Sequence, residues 1–237
     1  MASLQEQLTR IEGGALAAKA ALLMTFDRDT VKQQGGKVAV RDLSTNGNHG
    51  RGRGVKLKKG VAGECAVFDG RGRIITANDA SLQIMGDQTI AMWLRPTALG
   101  ARRNPLNKSY GAECTWTLEK NGSIHYYYGS AGKNSKPYQG IGSGRIPKGR
   151  WTHVAVVRDT HAGVVLWFIN GQPRRSVKMT VKPSASKYPL LLGDGYVEPY
   201  VGDIDEVAMF PSALSAADIA SLYRLGKRGH SLNRAGD

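Results

Sequence analysis

Two Asn-Gly pairs constrain this chain more than any other local feature. Asn121-Gly122 separates CTWTLEK from SIHYYYG, and Asn170-Gly171 separates GVVLWFI from QPRRSV. Both pairs suit a two-residue type I′ turn, in which both central residues take positive φ, so each predicts a β-hairpin. In the first hairpin a two-residue loop pairs Lys120 with Ser123 and Leu118 with His125. That register sets Trp116, Leu118, His125 and Tyr127 on one face. It sets Thr115, Thr117, Glu119, Ile124, Tyr126 and Tyr128 on the other. Neither face is purely apolar, so which one is core stays open.

Other segments extend the β pattern. Trp151–Asp159 (WTHVAVVRD) and Val164–Ile169 (VVLWFI) are apolar on both alternations, as strands covered on both sides are. Asp87–Pro96 and Tyr200–Phe210 read as further strands, the first closed by its proline. Ser215 and Asp218 fit a capping box opening a helix near Ala216–Tyr223, with Ile219 and Leu222 facing inward. Ser3 and Glu6 fit another, at the head of a helix over residues 3–12 that Gly13-Gly14 would end. Leu4, Leu8 and Ile11 share one face of it. So short a helix is marginal alone in water, so it needs its own sandwich or a neighbouring subunit to lie on. Apolar residues make up 41%, with 30 glycines and 9 prolines, which suits a turn-rich fold with a real core. The expected division is a helical arm over 1–21, one β-sandwich over 22–226 and a loose polar tail over 227–237.

Seven stretches occur in an order that resembles the laminin-G-like, concanavalin A-like lectin/glucanase superfamily. They are DLSTNGNHG (Asp42–Gly50), AVFDGRGRIIT (Ala66–Thr76), QTIAMWLRP (Gln88–Pro96) and GRWTHVAVVRD (Gly149–Asp159). VVLWFINGQP (Val164–Pro173), LLLGDG (Leu190–Gly195) and GDIDEVAMFPSALSAADIASLY (Gly202–Tyr223) follow. The resemblance implies an all-β fold: a two-sheet antiparallel jelly-roll sandwich with short N-terminal and C-terminal helices. It fixes no function, since this fold hosts lectins, hydrolases, adhesion modules and virion proteins.

Hydrolases of this fold place two glutamates and an aspartate in alternation on one strand. Here Asp203-Ile204-Asp205-Glu206 lacks the glutamate pair, so no catalytic residue is assigned and the chain is read as no enzyme. The resemblance also implies that a structural calcium could sit at Asp27 and Asp205, near the first and last strands. No other cofactor is expected, and no His/Cys spacing suits zinc. His153 reads as a satisfied structural residue. Cys65 and Cys114 read as two free thiols, with a single disulfide as the alternative.

Lys and Arg number 33 against 19 Asp and Glu, a formal +14. A field of that sign favours acidic partners. Arg51, Arg53, Lys56, Lys58 and Lys59 form the densest run, with Lys56 and Lys58 projecting the same way if extended. Nucleic acid is disfavoured, because the run lacks interleaved aromatics. Glu6, Arg10 and Glu12 stand where a secretory signal would be apolar. Gly13–Met24 is broken by Lys19 and too short to span a bilayer, so no membrane insertion is expected. These features favour a non-enzymatic phage virion component, a capsid decoration or fibre protein made in the host cytoplasm. Leu4, Leu8, Ile11 and the basic run would then contact an acidic capsid or other virion partner, and a homo-oligomer is compatible. The alternative is a lectin for cell-surface, even anionic, glycans, with Trp116, Tyr126, Tyr127 and Tyr128 stacking on sugars.

Overall fold

The computed structural model describes residues 13–130 and 136–232. The helix expected over residues 3–12, with Leu4, Leu8 and Ile11, lies outside them. The strands run β1 (Leu22–Met24), β2 (Val31–Gln34), β3 (Lys37–Val40), β4 (Gly50–Lys59) and β5 (Glu64–Thr76). Next come β6 (Gln88–Pro96), β7 (Arg103–Asn107), β8 (Thr115–Leu118), β9 (Ser123–Gly129) and β10 (Tyr138–Arg145). The last are β11 (Thr152–Asp159), β12 (Val164–Ile169), β13 (Gln172–Lys178), β14 (Leu190–Leu192), β15 (Glu198–Pro199) and β16 (Val201–Phe210).

The thirteen-residue β5 turns one ribbon into two sheets. Its end, Ile74–Thr76, pairs with β14, and its middle, Ala66–Asp69, pairs with β16. The front sheet therefore runs β10-β9-β8-β7-β14-β5 and continues through β4, β3 and β2. The back sheet runs β5-β16-β6-β11-β12-β13, with β1 beside β16. Strand β4 follows β5 around the corner, its register shifting between Arg53 and Val55. This is the expected antiparallel jelly-roll sandwich.

The second Asn-Gly pair forms the expected turn. Asn170 and Gly171 have φ of 50° and 75°, and Ile169 pairs with Gln172. The first does not. Gly122 alone has positive φ, its N–H donates to the Glu119 carbonyl, and Glu119 N–H donates to the Ser123 carbonyl. The loop holds three residues, a type I turn followed by a left-handed glycine. Leu118 therefore pairs with Ile124 rather than His125, and every side chain of β9 exchanges faces. Trp116, Leu118, Ile124, Tyr126 and Tyr128 all turn inward.

Two apolar cores result. The larger lies between the sheets and includes Phe68, Ile74, Met92, Trp116, Tyr126, Val156, Trp167 and Ile204. The second lies outside the back sheet. There Leu23, Ala91, Val157, Phe168, Ala208 and Phe210 are covered by Leu16 and Ala17 of the helical residues 13–17. The C-terminal helix, Ala216–Lys227, adds Ile219, Leu222 and Leu225, and the Ser215–Asp218 capping box is formed. The expected loose tail is tied down through residue 232: Leu232 is buried with its N–H on Glu206, and the Ser231 hydroxyl donates to Asp27.

Candidate functional site

The front sheet's outer face follows from the register, because cross-strand partners share a face. Leu191, Asn107, Thr115, Tyr127 and Gly140 stand in one row across β14, β7, β8, β9 and β10. Thr117, His125 and Gly142 make the next. Thr115 and Thr117 are fully buried although they point away from the core. What covers them is a layer of tyrosines. The Tyr110 ring lies 4.6 Å from Tyr138, 4.6 Å from Tyr196 and 5.2 Å from Tyr127. Tyr196 OH is 2.8 Å from Thr117 Oγ1. Strand β10 supplies glycines where the layer needs room: a Cβ at Gly142 would meet the His125 ring at 2.7 Å, and one at Gly140 would meet Tyr127.

Arg102 holds this layer in register. Its Nε donates to Glu119 Oε1 and Oε2 at 3.2 and 3.0 Å, and its Nη2 donates to the Tyr127 and Tyr196 hydroxyls at 3.3 and 3.2 Å. Burial, then the Glu119 charge, pushes the Tyr127 phenol up to about 12, so it stays a donor at neutral pH. Burial lowers the His125 pKa, opposed by Glu119 and assisted by Arg102 and Arg175. The four tyrosines are half-buried, each leaving part of its ring to solvent. Beside them opens a cavity of about 200 Å³ lined by Asn107, Ser109, Tyr110, Tyr188, Leu191 and Tyr196. The Ser109 hydroxyl is buried without a hydrogen-bond partner among the described residues. Flat apolar rings with polar tips beside hydroxyl and amide groups suit a ligand that is itself apolar on its faces and hydroxylated at its edges.

The residues expected to meet a glycan are mostly elsewhere. Trp116, Tyr126 and Tyr128 are core, and only Tyr127 stands on the outer face. Tyr110, Tyr138, Tyr196 and Arg102 were not singled out by sequence, because they come from separate loops and strand ends that only the fold assembles. The signal within reach was Thr115 and Thr117 alternating with Trp116 and Leu118, which marks a polar outer face.

The basic run forms β4, and its corner divides it. Arg51 and Arg53 point out from the front sheet, opposite Ile75 and Arg73. Past the register shift Val55 turns to the core and Leu57 packs against it, so Lys56 and Lys58 point out from the back sheet. Lys58 is engaged at 2.8 Å with buried Asp203, which also takes Arg95; Lys59, at the strand's end, is exposed. The five cations are not one contact patch.

Asp27 and Asp205 do come together, beside Glu206. Asp205 accepts N–H groups of Val61, Ala62 and Glu206, and Asp27 accepts that of Glu64 and the Ser231 hydroxyl. Burial, then the Asp27 charge, lifts Asp205 to about 8, and burial with the Asp205 charge lifts Glu206. The carboxylates are turned to protein donors. Among the described residues no group of three or more His, Cys, Asp or Glu is arranged to hold a metal ion. Asp203 and Asp205 sit on the back sheet, away from the tyrosine layer. His153 is buried edge-on to Trp93, and burial lowers it to about 3. It is structural, but its Nδ1 lacks a partner among the described residues, so it is not fully satisfied. Cys65 and Cys114 are free and buried, with burial pushing both thiols up to about 12. Among the described residues no helix is long and apolar enough to cross a membrane.

Residues 69–220 match a laminin G family described as the concanavalin A-like lectin/glucanases superfamily, and the chain belongs to that family. No curated protein matches it. Among solved structures it resembles the binding domain of Paraclostridial Mosquitocidal Protein 1, with TM-score 0.70 and 15% identity over 88% of this chain and 52% of that one. It resembles the binding domain of Botulinum Neurotoxin DC, in complex with SialylT, with TM-score 0.66 and 14% identity over 89% and 52%. The chain thus spans about half the length of these toxin domains. It also resembles domain 4 of AbnA, a GH43 extracellular arabinanase from Geobacillus stearothermophilus, in complex with arabinotriose. There the TM-score is 0.67 and the identity 20%, over 87% of this chain and 98% of that one.

Proposed function

We propose that this chain is a non-enzymatic glycan-binding domain whose site is the tyrosine layer on the front sheet. The observation that carries the reading is a layer of four half-buried tyrosines, braced by Arg102 and Glu119, beside a small cavity lined by tyrosine rings, Asn107 and Ser109. Amphipathic rings fixed by packing present a sugar with a flat surface at little entropic cost. The fold's likeness to an arabinotriose complex and a SialylT complex supports a carbohydrate ligand. The acidic strand motif lies on the outer side of the back sheet and is occupied by ion pairs and backbone donors, which supports binding without catalysis. A glycan array probed with the full chain and with Tyr110→Ala tests this. Binding by the wild type that is lost in a folded Tyr110→Ala variant is expected; silence of the wild type across the array overturns the reading.

A role in a phage virion is compatible with such a domain, since a fibre or decoration protein can carry a lectin. What favours it is the +14 charge, with Arg51, Arg53, Lys56 and Lys59 exposed for an acidic partner surface. Finding the chain in purified particles by mass spectrometry would support this assignment, and its absence from them would remove it.

A further inference from the structure

We propose that the ligand is an acidic oligosaccharide laid across the front sheet, its sugar rings on the tyrosine layer and its carboxylate or sulfate groups on Lys32, Lys37, Arg51 and Arg53. This rests on the glycan-binding reading above and adds the ligand's charge and direction.

The row of outward residues does not stop at Leu191. It continues through Ile75 to Arg51, then Ala39 and Lys32. The neighbouring row places Lys37 directly opposite Arg53, and Arg53 directly opposite Arg73. Like charges facing one another across strands destabilise a sheet, so three in succession call for an anion. Asp194 answers only Arg73, at 3.1 Å. Lys32, Lys37, Arg51 and Arg53 are exposed, and no described carboxylate forms an ion pair with any of them. Three other cations of the sandwich are paired. Arg102 is tied to Glu119, and Lys58 and Arg95 are tied to Asp203.

Distance sets the ligand's size. Five strand spacings separate Arg51 from Tyr127, which at 4.7–4.9 Å each is about 24 Å. That span needs a chain of sugars rather than one. The cavity beside Tyr110 and Tyr196 lies between the two ends, because Leu191 and Asn107 line it and stand between Ile75 and Thr115 in the row. Guanidinium forks match carboxylate and sulfate alike, so the shared chemistry is a multivalent oxyanion on a sugar backbone.

The test compares three probes of equal length by calorimetry: a neutral galacto-oligosaccharide, an oligogalacturonate and a sulfated heparin oligosaccharide. At low salt at least one acidic probe is expected to bind about tenfold or more tighter than the neutral one, an advantage that fades as salt rises. The triple variant Lys37→Ser, Arg51→Ser, Arg53→Ser is expected to lose that advantage and keep the weak neutral binding. Tyr110→Ala is expected to weaken all binding. Preference for the uronate or for the sulfated probe distinguishes the two oxyanions. Equal binding of neutral and acidic probes overturns the proposal while the glycan-binding reading stands. Acidic binding untouched by Tyr110→Ala also overturns it, as adsorption to bare charge. No binding of these probes, together with a silent array, overturns both.

Discussion

The sandwich has two outer faces, and they are closed by opposite means. Outside the back sheet, two helical segments lay Leu16, Ala17, Ile219, Leu222 and Leu225 on Ala91, Val157, Phe168 and Phe210. That closure is apolar. Outside the front sheet, the cover is a layer of tyrosine rings held by one arginine and one glutamate, with threonines sealed beneath. Such a cover excludes water from the strands yet keeps hydroxyls, ring faces and a cavity in reach of solvent. One face is sealed by apolar packing; the other keeps polar groups at its surface, where we propose recognition.

The two faces part company at adjacent residues. Tyr128 points into the core and Tyr127 out of it. Tyr128→Ala should cost about 3–5 kcal/mol of unfolding free energy in denaturant titration, as other large-to-small core changes do. Tyr127→Ala should leave the melting transition nearly in place and weaken glycan binding. Equal destabilisation by both would mean the outer layer is a second core rather than a binding surface.

A pH series sharpens the back-face account. Asp205 is lifted to about 8 by burial and by Asp27, so the folded state holds a proton that the unfolded chain releases near the ordinary 3.8. Its contribution to stability is complete below pH 3.8 and is lost as pH rises through 8. Thermal melts should therefore show a decline between these limits that Asp205→Asn flattens. Millimolar calcium added at neutral pH should not raise the melting temperature if these carboxylates are committed to backbone donors; a clear rise would restore Asp27 and Asp205 as a cation site. A smaller effect is expected at the C-terminal helix, where Ser215→Ala removes a formed capping box. It should cost about 1 kcal/mol without touching binding.

The fold was legible because its signals are local and repeated. The alternations of β6, β11 and β16, the Asn170-Gly171 turn and the Ser215 cap each carry their structure in a few residues. Asn121-Gly122 misled for a physical reason. The same dipeptide serves a two-residue turn or the end of a three-residue one, and the choice reverses which β9 side chains are buried. In the two-residue register Tyr126 and Tyr128 stand on the face opposite Trp116 and Leu118, whereas the true register gathers all four in the core. The site was hidden for a different reason. Tyr110, Tyr138 and Tyr196 are distant in sequence and meet only through sheet order, and the division of the basic run at β4 depends on a corner that no local pattern announces.

We propose that sugar rings are recognised at the tyrosine layer of the front sheet and not at the helix-covered face. Backbone amide exchange, measured on the full chain with and without a saturating oligosaccharide found on the array, tests it most directly. The account expects new protection in Asn107–Tyr110, β9 and β10, with the C-terminal helix and β11 unchanged. Protection confined to the helix-covered face, or to the groove lined by Met85, Met179 and Val181 at the sandwich's edge, would contradict it.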